Sequence, residues 1–107
     1  MPRGFSGMGD LVRQAQKMQQ RLSEVQQGLK ERVVEGTSGG NMVRVLVNGQ
    51  QEIVAVKIDP SVVDPKDVTM LEDLVLAAAR QGLKKAKDLA NDEMGKVTGG
   101  VAMPGMF

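Results

Sequence analysis

The sequence predicts an α+β fold in which a long helix, a three-stranded antiparallel sheet and a second long helix follow one another. Three observations carry that reading. Met8, Leu11, Ala15, Met18, Leu22, Val25 and Leu29 recur at alternating spacings of three and four, an unbroken heptad seam. Asn48-Gly49 stands between two strand-like runs, the strongest short-range hairpin signal in the chain. Thr69 and Glu72 then match a capping box that opens a second helical stretch.

Taken in order, the first helix carries Asp10 near its positive end and Lys30 and Arg32 near its negative end, as the helix dipole favours. At about 22 residues it would extend about 33 Å, longer than a small sheet is wide, so part of it should project. Arg32 to Thr37 reads as a short strand ending at the loop Ser38-Gly39-Gly40. Met42 to Val47 and Glu52 to Ile58 form the hairpin. A two-residue loop pairs Val47 with Gln50, Val45 with Glu52 and Val43 with Val54, whereas a longer loop shifts the sets of residues that share each face.

Alternation places Val43, Val45, Val47, Val54, Val56 and Ile58 on one face of this hairpin. Met42, Arg44, Leu46, Ile53, Ala55 and Lys57 fall on the other, which is mixed. A sheet apolar on one face and half-apolar on the other needs two coverings. One chain supplies a single helix layer, and a second copy is the natural source of more. Val45, Val54 and Val56 are the expected buried members.

Asp59-Pro60 ends the third strand, and a connector containing Pro65 leads to the last helix, expected to run to about Met94. Within it, Ala78, Gly82, Ala86 and Ala90 make a row of small residues that admits close approach of another backbone. The chain of 107 residues is one domain, 1–107, with 1–7 and 96–107 expected as flexible tails.

Composition narrows the chemistry. The chain has no cysteine and no histidine, so disulfides, thiolate metal sites, thiol nucleophiles and the commonest general base are all absent. Ser6, Ser23, Ser38 and Ser61 lack a plausible base, and no convergent carboxylate pair stands out. The reading is a non-enzyme with no cofactor, no metal and no small-molecule substrate. Met1-Pro2-Arg3-Gly4-Phe5 leads into Gly-rich sequence rather than an apolar run of signal-peptide length, and no stretch approaches a membrane span. The expected location is the cytoplasm.

Net charge is only +1, but it is unevenly spread: residues 1–33 carry +3, residues 34–83 carry −3 and residues 84–107 carry +1. Arg13, Lys17 and Arg21 stand at successive i, i+4 positions and form one ridge on the first helix. It is either an ordinary solvated face or a row, rising about 6 Å per step, that follows phosphates. Lys84, Lys85 and Lys87 form a second basic cluster, in which Asp88 offers Lys84 an exposed ion pair of little worth. Phe5 and Phe107 are the only aromatics, so no stacking platform for single strands exists. Duplex backbone is the sensible nucleic-acid target. The heptad seam is either core or a surface gripping a partner.

Gly9-Asp10-Leu11 through Gln14-Ala15-Gln16-Lys17-Met18-Gln19, Val34-Glu35-Gly36, Val47-Asn48-Gly49 and Lys57-Ile58-Asp59-Pro60-Ser61 together resemble the YbaB/EbfC family of bacterial nucleoid-associated proteins. Met70-Leu71-Glu72-Asp73-Leu74, Met94-Gly95, Thr98-Gly99-Gly100 and Met103-Pro104-Gly105 continue the likeness in the same order along nearly the whole chain. The resemblance implies a homodimer joined through the sheets, with first helices projecting as tweezer arms. It also implies a nucleoid protein that binds double-stranded DNA with modest sequence preference and alters its shape. Family contacts lie on the first and last helices, which here points to Arg13, Lys17, Arg21, Lys84, Lys85 and Lys87. The competing function is a protein-interaction adaptor that uses the heptad-patterned first helix.

Overall fold

The computed structural model describes residues 3–97, with side chains from Met8 onward. Helix α1 spans Arg3–Glu31, strands β1 Val33–Ser38, β2 Val43–Asn48 and β3 Ile53–Ile58 follow, a single 3-10 turn occupies Pro60–Val62, and helix α2 spans Val68–Val97. The sheet is antiparallel throughout, in the order β1-β2-β3. Both helices run further than the sequence suggested: α1 begins at Arg3, and α2 continues through Gly95 to Val97. Of the two expected tails, residues 1–2 and 98–107 lie outside the described residues.

Helix α2 lies over β1 and β2. Ala78, Gly82 and Ala86 of the small-residue row are buried there, against Val43, Val45 and Val47. The row admits the close approach that its composition implied. A Cβ on Gly36 of β1 would run into the Ala78 carbonyl and the Gly82 backbone, so only glycine fits beneath the helix. The cap of α2 differs from the capping-box expectation. Asp67 accepts a hydrogen bond from the Met70 amide at 3.2 Å, which places the helix start before Thr69.

The hairpin register also differs from the two-residue reading. Val43 faces Ile58 and Val45 faces Val56, with a bulge at Leu46/Val47. The loop is longer because the Asn48 side chain organises it. Its carbonyl oxygen accepts from the amides of Gln50 (3.0 Å) and Glu52 (3.1 Å), and its amide donates to the Glu52 carboxylate at 2.9 Å. Asn48 is buried with these bonds satisfied, as a buried amide requires. From Val43 to Leu46 the slide along β3 is four residues, an even number, so those pairs keep their expected faces, whereas past the bulge Val47 meets Ile53, a slide of three.

Burial corrects a second expectation. Val45 is buried, but Val54 is 53% and Val56 48% exposed. They share the α2 side of the sheet with Val45, yet α2 covers only β1 and β2. Within one chain, Val54, Val56 and Ile58 form an apolar strip beside the core rather than part of it.

Candidate nucleic-acid interface

Helix α1 is an arm. Leu29 is buried, Leu22 and Val25 are partly covered, and every described residue from Met8 to Arg21 is exposed. The heptad seam is therefore core at its C-terminal end, while Met8 (64%) and Leu11 (66%) stand open. The root is fixed by three devices. The Gly49 amide donates to the carbonyls of Leu29 (2.8 Å) and Arg32 (2.9 Å). The Gln50 side chain donates to the Gln26 carbonyl at 2.7 Å. Glu93 of α2 accepts from Arg32 at 2.8 Å and from Lys96 at 3.2 Å. Those hydrogen bonds, that from Lys96 first and that from Arg32 next, hold the Glu93 carboxyl below its ordinary range.

Arg13, Lys17 and Arg21 all lie on the exposed length of this arm. Arg13 makes a loose pair with Asp10 at 3.7 Å. Lys17 and Arg21 have no ion-pair partner among the described residues, and Glu24 does not close on Arg21. A row of cations left largely un-neutralised on a projecting rod is free to meet phosphates.

The second cluster is less uniform. Lys84 pairs with Asp88 at 3.0 Å. Lys85 donates to the Glu35 carbonyl of β1 at 2.9 Å, and nearby Gln81 accepts from the Thr37 amide at 2.7 Å. Both contacts satisfy backbone groups along the outer edge of β1, so Lys85 is occupied at the sheet. Lys87 is exposed and has no ion-pair partner among the described residues. Among the described residues, no ion pair links the arm ridge to the α2 lysines.

Sequence reasoning missed one cationic pair. Arg44 and Lys57 stand directly opposite each other on β2 and β3, on the face turned from α2. The two-residue loop would have placed Arg44 opposite Ile53, so the pairing was legible only once the true register was known. Among the described residues, no group of carboxylates, histidines or cysteines is arranged to hold a metal, and no helix is long and apolar enough to cross a membrane.

Comparison with known proteins agrees with this architecture. The chain is 47% identical over 106 residues to a nucleoid-associated protein of Caldanaerobacter subterraneus, covering 99% of this chain and 95% of that protein. It is 49% identical over 104 residues to a nucleoid-associated protein of Clostridium kluyveri, covering 97% and 91%. Among solved structures, an uncharacterized protein of Helicobacter pylori superposes with a TM-score of 0.73 at 26% identity, covering 88% of this chain and 96% of that one. The family model for the YbaB/EbfC DNA-binding family matches residues 4–101, so with relatives of this identity and coverage the chain belongs to that family.

Proposed function

We propose that this protein is a nucleoid-associated homodimer that binds duplex DNA mainly through backbone phosphates and alters its conformation. The observation that carries this reading is the exposed ridge Arg13, Lys17 and Arg21 on an arm that projects beyond its own sheet. Membership of a DNA-binding family supplies the class of partner, and relatives named nucleoid-associated proteins support the location. The family is not an enzyme family.

The dimer is supported by an asymmetry between the sheet's two edges. The β1 edge is closed by Gln81 and Lys85, whereas β3 ends the sheet beside the half-exposed Val54 and Val56. Exposed strand edges with apolar flanks attract another chain. Two arms set at a fixed angle would bend a duplex that contacts both, at a cost of a few kcal/mol offset by the added contacts.

The test is a duplex titration across salt concentrations. Two ridges present six cations, and each neutralised phosphate adds about 0.9 to the slope of log affinity against log salt. Engaging half of them gives a slope steeper than about −2.5. Lys17→Glu should weaken binding equally for unrelated duplexes while leaving the dimer intact. A flat salt response would overturn the reading. The open seam of Met8 and Leu11 favours a second one, the adaptor, whose mark is a stoichiometric, salt-insensitive complex with another protein.

A further inference from the structure

The pairing of Arg44 with Lys57 costs the fold something. Like charges directly opposite on antiparallel strands repel and destabilise the sheet. Both side chains are exposed, and neither makes an ion pair among the described residues. They line a cavity of about 150 Å³ together with Asn41, Met42, Ile58 and Asp59. The Asp59 carboxylate is engaged by the Ser61 amide at 2.9 Å.

The rim of that cavity carries a second cost. Asn41 has φ of 71° and follows Gly39 and Gly40, both also left-handed. A non-glycine residue held in that region stores strain, and such strain gathers at functional sites. A cation pair with no ion-pair partner among the described residues, a cavity that it lines together with the Asp59 carboxylate, and a strained polar residue at the rim coincide at one corner of the sheet.

We propose that this corner is a phosphate seat, in which Arg44 and Lys57, with Asn41 at the rim, grip a backbone phosphate of the bound duplex. The guanidinium offers a planar fork and the ammonium a compact charge, a combination suited to one phosphate's oxygens. A second copy laid on this face would bring its own two cations, against Asp59 in the cavity and Glu35 on the same face of β1, whereas a phosphate meets the pair without that cation repulsion, which favours the nucleic acid as occupant. This inference rests on the DNA-binding reading and adds a contact remote from the arms.

The experiment compares the parent, Lys17→Glu and the double variant Arg44→Gln/Lys57→Gln in duplex titrations at several salt concentrations. Each variant's mass and melting temperature are measured alongside. The double variant should bind roughly tenfold more weakly at low salt. Its salt slope should be flatter by about 0.9 per chain bound. It should melt no lower than the parent, since a repulsion has been removed. If the double variant keeps the parent's affinity and slope while Lys17→Glu loses both, the seat is refuted and DNA binding by the arms stands. If the double variant instead falls to one chain's mass, the pair faces a carboxylate of a second copy and the seat is refuted. A parent that binds no duplex refutes the DNA reading and the seat together.

Discussion

Gly49 sits against Leu29 so closely that a Cβ on it would stand 2.7 Å from both the Leu29 carbonyl oxygen and its Cδ2. Its amide donates to that same carbonyl at 2.8 Å. The hairpin loop thereby clamps the last turn of the arm to the sheet, and the absence of a side chain at 49 is what allows it.

Gly49→Ala should therefore cost about 1–3 kcal/mol through overpacking and loosen the arm root. Gly28, one residue before Leu29, has nothing within 4 Å of an added Cβ and lies inside α1. Gly28→Ala should stabilise the protein by about 0.5–1 kcal/mol. Denaturant midpoints of the two variants, moving in opposite directions, check this. Equal shifts of one sign would show that the clamp does not set the requirement at 49.

The strip on β3 yields a contrast between two valines. Val45 is buried beneath α2, so Val45→Asp leaves an unpaired charge in the core and should give an unfolded or aggregating chain. Val54 is 53% exposed within one chain. Val54→Asp should fold, with helical content intact, but lose the proposed dimer. Light scattering should then give one chain's 11.5 kDa rather than twice that mass. A Val54→Asp protein that stays dimeric would remove β3 from the interface.

These two cases also show what the sequence could express. Heptad spacing and strand alternation report which side chains share a face, so the arm, the hairpin and the valine sets were readable. They do not report which part of a face another element covers. Val54 and Val56 look like Val45 in the alternation and differ only because α2 crosses β1 and β2. Asn48-Gly49 marks the hairpin but leaves its loop length open, and the structure shows why the loop is longer: Asn48 bonds its own loop and Gly49 makes room for Leu29. The Arg44–Lys57 pair stayed hidden for the same reason, since it depends on register. The cation ridge on α1 needed only helical spacing, and it was the most legible part of the candidate interface.

Acid should act at the arm root. Glu93 is held below its ordinary range by Lys96 and Arg32 in the folded chain. A depressed carboxyl contributes stability above its unfolded value, near about 4.3, and loses it as pH falls through the folded value. Melting temperature should thus be insensitive to Glu93 between about pH 7 and 5, then fall below about pH 4. Glu93→Gln should lower the neutral-pH melt modestly and flatten that acid decline. An acid limb unchanged by the substitution would place the sensitivity elsewhere.

The three α2 lysines should not behave alike. Lys87 has no ion-pair partner among the described residues, so its charge is free for a phosphate. Lys84 is shared with Asp88 at 3.0 Å, an exposed pair that yields readily to a stronger anion. Lys85 spends its ammonium on the Glu35 carbonyl at 2.9 Å and so helps close the β1 edge. Duplex affinity should therefore fall most for Lys87→Gln, less for Lys84→Gln and least for Lys85→Gln. Lys85→Gln should show a different defect. With the edge carbonyl uncovered, the strand can recruit another chain, and self-association should rise with concentration. Titrations of the three variants, paired with sedimentation at rising concentration, separate the roles. If Lys85→Gln stays monodisperse and weakens DNA binding as much as Lys87→Gln, the edge contact is incidental and Lys85 belongs to the DNA surface.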